Sequence, residues 1–510
     1  MHSRAPETPT TGHTGPSAPP GRTDGAGRTG PPGRGAASGR PASGTAAAQD
    51  APAQDIPAQD IPAHDAPALG TPAHDAPALG TPAHDAPALG TPAHDAPALG
   101  TPAPEARGPG TRPAETRAPQ ARVSEVPAPD APAPDAPASD TPGTALPARY
   151  YTDPAIAAAE TRHVFGASWQ LVCHESDLPD PGSRLAATVA DREVVVVRTE
   201  DGGLAAHLNV CRHRGTRLVT NPEPAGKAIR CPYHGWTYRL DGSLVGAPEA
   251  RQIPCLDKPS LGLFPARVES FLGFVFVNLD PDAVPLAKSC AGLAEAVGHY
   301  AGADLVPVGR ARIHDLAGAE VQQANWKVAV DNYLEGYHVP VAHPGLMRLL
   351  DYQGYTCEIE ESYALFASPL RDKPSSNWAE RLYQRIAAPM PGLAEADRRI
   401  WRYAVIYPNT LIDFYPDHVL AWTALPTAVD RVAVPGAFYT RRGTGLRTRL
   451  ARRLNIHIGW ITNDEDAELV ARVQKGLSTP GFEPGPLSRR ESAVGWFAGR
   501  IRSDLDGAEP

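Results

Sequence analysis

Apolar residues recur along this chain with two different periods, each confined to its own stretches. REVVVVRTEDGG (192–203) is a β-branched run that stops at an Asp-Gly-Gly turn, and LAAHLNVC (204–211) returns from it, the pattern of a hairpin. YRLDGSLV (238–245) and GFVFVNLD (273–280) read as further short strands. YPNTLIDFYPDHVLAWTALP (407–426) alternates on either side of a Tyr-Pro-Asp turn. Helical spacing begins after Pro285 in PDAVPLAKSCAGLAEAVGHY (281–300), which reads as a linker. It appears again in TNDEDAELVARVQKGL (462–477), where acids open the segment and Asp464 is placed to cap it.

Upstream of about Thr144 neither period exists. A ten-residue repeat, PAHDAPALGT, sets His64, His74, His84 and His94 in register, and APAQDIPAQD is a five-residue relative of it. Solenoid repeats need roughly 20 or more residues and an apolar face to stack, and this repeat has neither. Recurrent proline favours extended, solvated backbone, and so little apolar surface cannot offset the entropy of ordering. Residues 1–145 are therefore expected to be a disordered extension, a solvated tether.

Composition narrows the function classes. The 510-residue chain carries a formal charge of −9, which argues against the basic face of a nucleic-acid binder. No run of roughly 18 apolar residues is present to span a membrane. The six cysteines, Cys173, Cys211, Cys231, Cys255, Cys290 and Cys357, are sparse and follow no secretory leader. That points to a reducing, cytoplasmic setting, where paired cysteines are metal ligands sooner than disulfides.

Four such ligands stand at hairpin tips. CRHRGTRL (211–218) holds Cys211 and His213, CPYHGW (231–236) holds Cys231 and His234, and 17 residues separate the two units. Thiolates suit ferric iron bridged by sulfide, neutral imidazoles suit a second, more exposed iron, and exchanging thiolates for imidazoles raises the potential of the pair. A tetrahedral zinc site is the rival, although its usual order places Cys-x-x-Cys before a His pair. His207, at an alternating strand position, reads as structural. Cys173, Cys255, Cys290 and Cys357 read as small buried apolar residues.

A second constellation lies in NWKVAVDNYLEGYHVPVAHP (325–344). His338 and His343 fall about 140° apart on an ideal helix, so they share a metal only if the helix breaks between them. Pro340 and Pro344 favour that break. Glu335, one turn before His338, is placed to hold its imidazole N–H. The acids Asp464, Glu465 and Asp466 offer the carboxylate of a two-His-one-carboxylate triad, which leaves open positions for O2 and substrate.

CRHRGTRL with CPYHGWTY resembles the Rieske 2Fe–2S signature, without the extra cysteine in each loop that forms a disulfide in the respiratory proteins. DNYLEGYHVPVAH, EDAELVARVQKGL and GPLSRRES resemble the iron-binding and C-terminal segments of Rieske non-haem iron oxygenase alpha subunits, the ring-hydroxylating and choline-type monooxygenase group. The resemblance runs from LPARYYTDP (146–154) to the C terminus. It implies an α+β chain: an all-β Rieske domain with its entry segment over 146–285, and a catalytic mononuclear-iron domain over 286–510, an antiparallel sheet flanked by helices. It implies that Cys211, His213, Cys231 and His234 hold a 2Fe–2S cluster and that His338, His343 and Asp466 hold Fe(II). Glu335 is then the carboxylate that bridges His234 and His338 for electron transfer. Many aromatic-ring dioxygenases have Asp at that position, so Glu335 leans toward the amine-type monooxygenases.

The activity implied is O2-dependent hydroxylation of a small organic substrate, with electrons ultimately from NAD(P)H through a separate reductase or ferredoxin, in a homotrimer. A quaternary amine, hydroxylated or oxidatively demethylated, is the leading expectation; aromatic-ring dioxygenation is the alternative, and a Rieske electron carrier without oxygenase activity a remote one. Trp378, Tyr383, Trp401, Tyr403, Tyr407, Phe414, Tyr415 and Trp422 lie in the catalytic half. Their faces could cage a trimethylammonium group or form the core of the sheet, and the spacing of 407–426 favours the core. No nucleic-acid or membrane partner is expected.

Overall fold

The computed structural model describes residues 144–506 apart from Pro222. The expected extension over 1–145 lies outside the described residues except for Thr144 and Ala145, whose carbonyls accept from Arg502 Nη2 at 3.1 and 2.8 Å. Two short helices, α1 (Arg149–Thr152) and α2 (Pro154–Glu160), lead into the first sheet.

That first half is all-β, as expected. Its strands are β1 (Gln170–His174), β2 (Arg184–Val189), β3 (Arg192–Arg198) and β4 (Leu204–Leu208), then β5 (Ile229–Arg230), β6 (Thr237–Tyr238), β7 (Leu244–Gly246), β8 (Pro265–Phe271) and β9 (Phe274–Asn278). Six of them form a sheet in the order β1-β9-β8-β4-β3-β2, and β5-β6-β7 form a small second one, with every pairing antiparallel. YRLDGSLV is two strands rather than one, because Asp241 and Gly242 turn the chain between β6 and β7. Asp241 Oδ1 accepts from the Ser243 N–H at 2.8 Å, and Gly242 sits at φ +85°. His207 lies so close to Gly242 that an added Cβ would stand 2.6 Å from its Cε1. The imidazole of His207 pairs with the Leu240 carbonyl at 3.1 Å, a structural role.

In the second half, α3 (Leu286–Ser289) and α4 (Ala291–Val297) precede β10 (Leu305–Val308), β11 (Glu320–Gln322), α5 (Trp326–Tyr333), α6 (Val339–Ala342) and α7 (Pro344–Leu349). There follow β12 (Thr356–Ile359), β13 (Tyr363–Pro369), α8 (Trp378–Ile386), β14 (Ile400–Ile406), β15 (Thr410–Phe414), β16 (Val419–Thr423), β17 (Leu425–Ala428), β18 (Arg431–Val434), β19 (Gly436–Arg441), α9 (Leu446–Leu477) and α10 (Ser492–Leu505). The main sheet runs β10-β19-β16-β15-β14-β13-β12, antiparallel throughout, beside a three-stranded β11-β18-β17. The chain is α+β, as the sequence implied.

Strand periodicity sorts the two faces of this sheet. Ile412 and Phe414 of β15 pack with Phe274 and Phe276 of β9 and with Leu293 and Val297 of α4. Leu411, on the opposite face, packs with Val330 of α5, Val470 of α9 and Phe497 of α10. Residues 281–300 are therefore no mere linker. Leu286, Cys290, Leu293, Val297 and Tyr300 are buried in a core that both halves share.

Two further expectations need correction. Helix α9 starts at Leu446, so the acids at 464–466 lie deep within it and Asp464 caps nothing; the N-cap is Gly445. The buried stripe upstream is Thr448, Ala451, Asn455 and Ile458, and its two polar members, with arginines around them, hide the period. Of the four remaining cysteines, Cys173 and Cys290 are buried and Cys357 is half-buried, but Cys255 is exposed, in a left-handed turn at φ +57°. No helix among the described residues is long and apolar enough to cross a membrane.

Candidate functional site

The two Cys-His loops are copies of one turn. In each, the residue four after the cysteine is a glycine at positive φ, Gly215 (+77°) or Gly235 (+66°), whose N–H donates to the cysteine carbonyl at 2.9 or 3.1 Å. Each cysteine N–H donates to the carbonyl five residues on, that of Thr216 or Trp236, both at 2.8 Å. The glycines suit a conformation that a Cβ disfavours. They are visible in the sequence, as Cys-x-His-x-Gly and Cys-x-x-His-Gly.

This geometry puts both thiols inside and both imidazoles outside. Cys211 and Cys231 are buried, His213 is exposed and His234 half-buried, and the two Nδ1 atoms face each other at 3.2 Å. Trp236 stacks on His213 with ring centroids 4.8 Å apart and fixes its plane. Tyr238 Oη accepts from the Arg212 N–H at 3.0 Å and lies 3.3 Å from Cys211 Sγ, so its own proton can reach the sulfur. Burial raises the Cys211 thiol above its usual range. Burial also pushes Cys231 up, but the N–H groups of His234 and Tyr233 outweigh it and hold the thiol low. Buried sulfurs with aimed donors, paired with outward-facing imidazoles, fit a mixed-ligand iron–sulfur pair better than one tetrahedral ion.

The second constellation depends on a broken helix. Asn325 caps α5 through Oδ1, which accepts from the Lys327 N–H at 3.0 Å. His338 immediately precedes α6, and His343 occupies the joint to α7 at φ −120°, ψ 76°. The break between the histidines brings their Nε2 atoms to 3.1 Å. Asp466, arriving on α9, places Oδ1 3.0 Å from His343 Nε2 and 3.7 Å from His338 Nε2. One ligand atom from each of the three lies within 4.8 Å of the others. Ligand atoms about 3 Å apart on one face are what a single ion at roughly 2.1 Å from each requires.

Carboxylates hold the far side of both rings. Glu335 Oε1 pairs with His338 Nδ1, while its other oxygen accepts from the backbone N–H groups of Tyr337 and His338. Glu465 Oε2 lies 2.7 Å from His343 Nδ1, and Asn332 Nδ2 donates to Asp466 Oδ1 at 3.0 Å. The three consecutive acids thus point three ways: Asp466 toward the centre, Glu465 behind His343, and Asp464 to solvent. Burial lowers the His343 imidazole, but Asp466 and Glu465 outweigh it and raise it overall. Among the described residues no hydrogen bond joins Glu335 to His234 within one chain. Asn332 was missed in the sequence, and Glu465 stood there only as an alternative to Asp466; their roles as supports arise once α5, α7 and α9 meet.

A cavity of about 720 Å³ opens from this corner along the helix-facing side of the main sheet. Trp401, Tyr403, Tyr415 and Trp422 line it, whereas Tyr383, Tyr407 and Phe414 are core and Trp378 is exposed on the surface. The expectation of a core sheet therefore holds on both faces, except where the cavity opens on the helix-facing one. In the wall stands Asp413, only 4 % exposed. Tyr333 Oη donates to its Oδ1 at 2.7 Å and Trp422 Nε1 to its Oδ2 at 3.4 Å. Burial pushes this carboxyl up to about 7.

Residues 168–257 match the family described as "Rieske [2Fe-2S] domain", and residues 303–507 match "Ring hydroxylating alpha subunit (catalytic domain)". The chain is 30% identical over 350 residues to the carnitine monooxygenase oxygenase subunit of Escherichia coli (strain K12), covering 66% of this chain and 85% of that one. It is 27% identical over 402 residues to the glycine betaine monooxygenase oxygenase subunit of Chromohalobacter salexigens, covering 72% of this chain and 87% of the relative. Among solved structures, the quaternary ammonium Rieske monooxygenase associated with carnitine oxidation by gut microbiota superposes with a TM-score of 0.60 at 26% identity, over 71% of this chain and 96% of that one. With a Rieske match over its first half, a catalytic-domain match over its second, and a curated relative 30% identical and covered over 85% of its length, the chain belongs to the Rieske non-haem iron oxygenase alpha subunits.

Proposed function

We propose that this chain is the oxygenase component of a monooxygenase system acting on a quaternary-ammonium substrate. Cys211, His213, Cys231 and His234 hold the 2Fe–2S cluster; His338, His343 and Asp466 hold the mononuclear iron. When bound, the cluster supplies single electrons and the iron supplies O2 activation. The chain's own residues do the rest. Glu335 and Glu465 fix the ring planes of His338 and His343 through Nδ1, and Asn332 holds Asp466 in place. The cavity walls hold the substrate against the iron corner and keep water out.

The carrying observation is Asp413, a buried carboxylate faced by Tyr333, Tyr403 and Trp422 in a cavity that opens on the iron corner. Tyr333 meets Tyr403 and Trp422 edge to face, with centroids 6.3 and 5.5 Å apart. Aromatic faces attract a trimethylammonium group by about 0.5–2 kcal/mol each, and Asp413 adds a countercharge in its ionised form, which the cation itself favours. Hydroxylation of an N-methyl carbon would lead to loss of that carbon as an aldehyde. The names of the relatives, carnitine, glycine betaine and choline monooxygenases, agree with this class.

Electrons arrive from NAD(P)H through a separate reductase, in the cytoplasm. The working form is a homotrimer in which Glu335 faces a cluster histidine of a neighbouring copy. Exposed apolar residues at both ends of that path support the contact: Tyr233 beside His234, and Tyr337 and Val341 beside His338. The experiment is substrate-dependent O2 uptake with a surrogate reductase. Trimethylammonium compounds should be turned over and their uncharged tert-butyl isosteres should not. Coupled turnover of aromatic acids, with quaternary amines inert, would overturn the reading.

A further inference from the structure

The segment that leads into the first sheet is packed against the catalytic helices. Tyr151 of α1 is buried, and its Oη donates to Asp331 Oδ2 on α5 at 2.6 Å. Its backbone carbonyl accepts from Gln474 Nε2 on α9 at 3.3 Å. Gln474 Oε1 in turn accepts from the N–H of Asn325, the N-cap of α5, at 2.8 Å. At the end of α2, Glu160 Oε2 accepts from Trp326 Nε1 at 2.9 Å, and its Oε1 lies 2.6 Å from Lys327 Nζ. Leu146, Tyr151, Val330, Leu334 and Val470 are buried in one cluster around these bonds. The ligand set of the iron corner uses none of these groups.

Asp466 meets the two histidines only if α5 and α9 keep one register. The helices run antiparallel: Asn332 touches Asp466, and Asn325 touches Gln474. The two contacts lie seven residues apart on the α5 side and eight apart on α9, roughly 10 and 12 Å of helix rise. The helices are therefore fastened twice, two turns apart. Metal–ligand distances tolerate only about 0.2 Å, so sliding α9 past α5 by a fraction of a turn takes Asp466 away from the ion.

Of the two fastenings, Asn332 stands in the cavity wall, whereas Asn325 and Gln474 are buried. Buried donors and acceptors hold geometry because breaking one bond strands the partner without water to replace it. Tyr151 belongs to both ends. Its carbonyl joins the buried fastening, and its hydroxyl holds Asp331, the residue immediately before Asn332 and one turn before Glu335.

We infer that Tyr151 and Gln474 are positioning residues for the mononuclear iron, clamping α5 to α9 and so setting the reach of Asp466 to His338 and His343. This rests on reading those three as the iron ligands. It gives the entry segment, which precedes both matched family regions, a part in the catalytic corner.

The test is iron retention by the anaerobic holoenzyme challenged with a ferrous chelator. Tyr151→Phe removes only the hydroxyl, and Gln474→Met only the amide. Each should speed release of the one triad iron roughly 10-fold or more, as loss of a ligand's support does. The cluster's visible absorption and reduced-state EPR signal should stay as in the wild type. Leu293→Ala, in the core on the opposite face of the sheet, controls for general destabilisation: its Tm should fall, with iron release at the wild-type rate. Gln474→Met carries the test alone if Tyr151→Phe does not fold. Wild-type release from a folded clamp variant, or equal acceleration by Leu293→Ala, overturns the inference and leaves the ligand set standing. A wild type that releases no iron apart from its cluster fails the ligand set, and the inference fails with it.

Discussion

Replacing Asp413 with Asn separates what this carboxylate does for the substrate from what it does to the fold. The free protein holds it at about 7 instead of 3.8, through burial, and each unit corresponds to about 1.4 kcal/mol. The penalty for ionising it in the folded state is therefore at most about 4 kcal/mol, an upper bound because the cavity side admits water. The sign follows from a raised acid: the stability is full below the unfolded value near 3.8 and is lost as pH climbs to 7, with no further change above. The amide carries no such penalty. Asp413→Asn should therefore gain on the wild type between pH 5 and pH 8, by several degrees of Tm at roughly 2–4 °C per kcal/mol. Substrate binding should move the other way. A cation about 5 Å from the carboxylate at an effective dielectric near 20 gains about 3 kcal/mol, so KM for a trimethylammonium substrate should rise on the order of 100-fold. Thermal melts at the two pH values and O2-uptake kinetics read both effects. A Tm difference independent of pH, together with an unchanged KM, would refute the reasoning.

Three other outcomes follow from the same geometry. Lys327 Nζ lies 2.6 Å from Glu160 Oε1 with both side chains buried, so Lys327→Met should cost about 3–5 kcal/mol, and Glu160→Gln added to it should recover part of the lost Tm. Gly242→Ala must force a Cβ against His207 from a left-handed backbone; a loss of about 1–3 kcal/mol is expected, and an unchanged denaturation midpoint would contradict the contact. Glu335→Gln should leave both centres metallated but cut single-turnover product sharply, and an undiminished yield would count against a role in electron transfer.

Local features of the site were legible in the sequence, and features assembled from distant segments were not. Cys211, His213, Cys231 and His234 sit in two self-contained turns, so their spacing alone carried them. His338 and His343 were legible because Pro340 and Pro344 mark the break that lets them converge. Asp466 was singled out by the family resemblance; the residue pattern alone reached it only as one of three neighbouring acids, since which acid faces inward depends on the rotation of α9, and that helix begins well before its apolar period becomes visible. Asn332, Asp413 and the place of Glu465 behind His343 carry no local signature. Each acquires its role from packing between segments far apart in the chain. The misreading of 281–300 has the same origin: apolar residues at helical spacing say that a face is buried, and not that it joins two cores.

The central claim is that one chain holds two separate metal centres, and iron counting in His338→Ala tests it most directly. Anaerobically prepared wild type should carry about three irons per chain, two in the cluster and one at the triad. His338→Ala should fall to about two, keep the visible absorption and the reduced-state EPR signal of the cluster, and lose substrate-dependent O2 uptake. Colourless wild-type protein loaded with zinc, or a His338→Ala variant that turns over normally, would contradict the account.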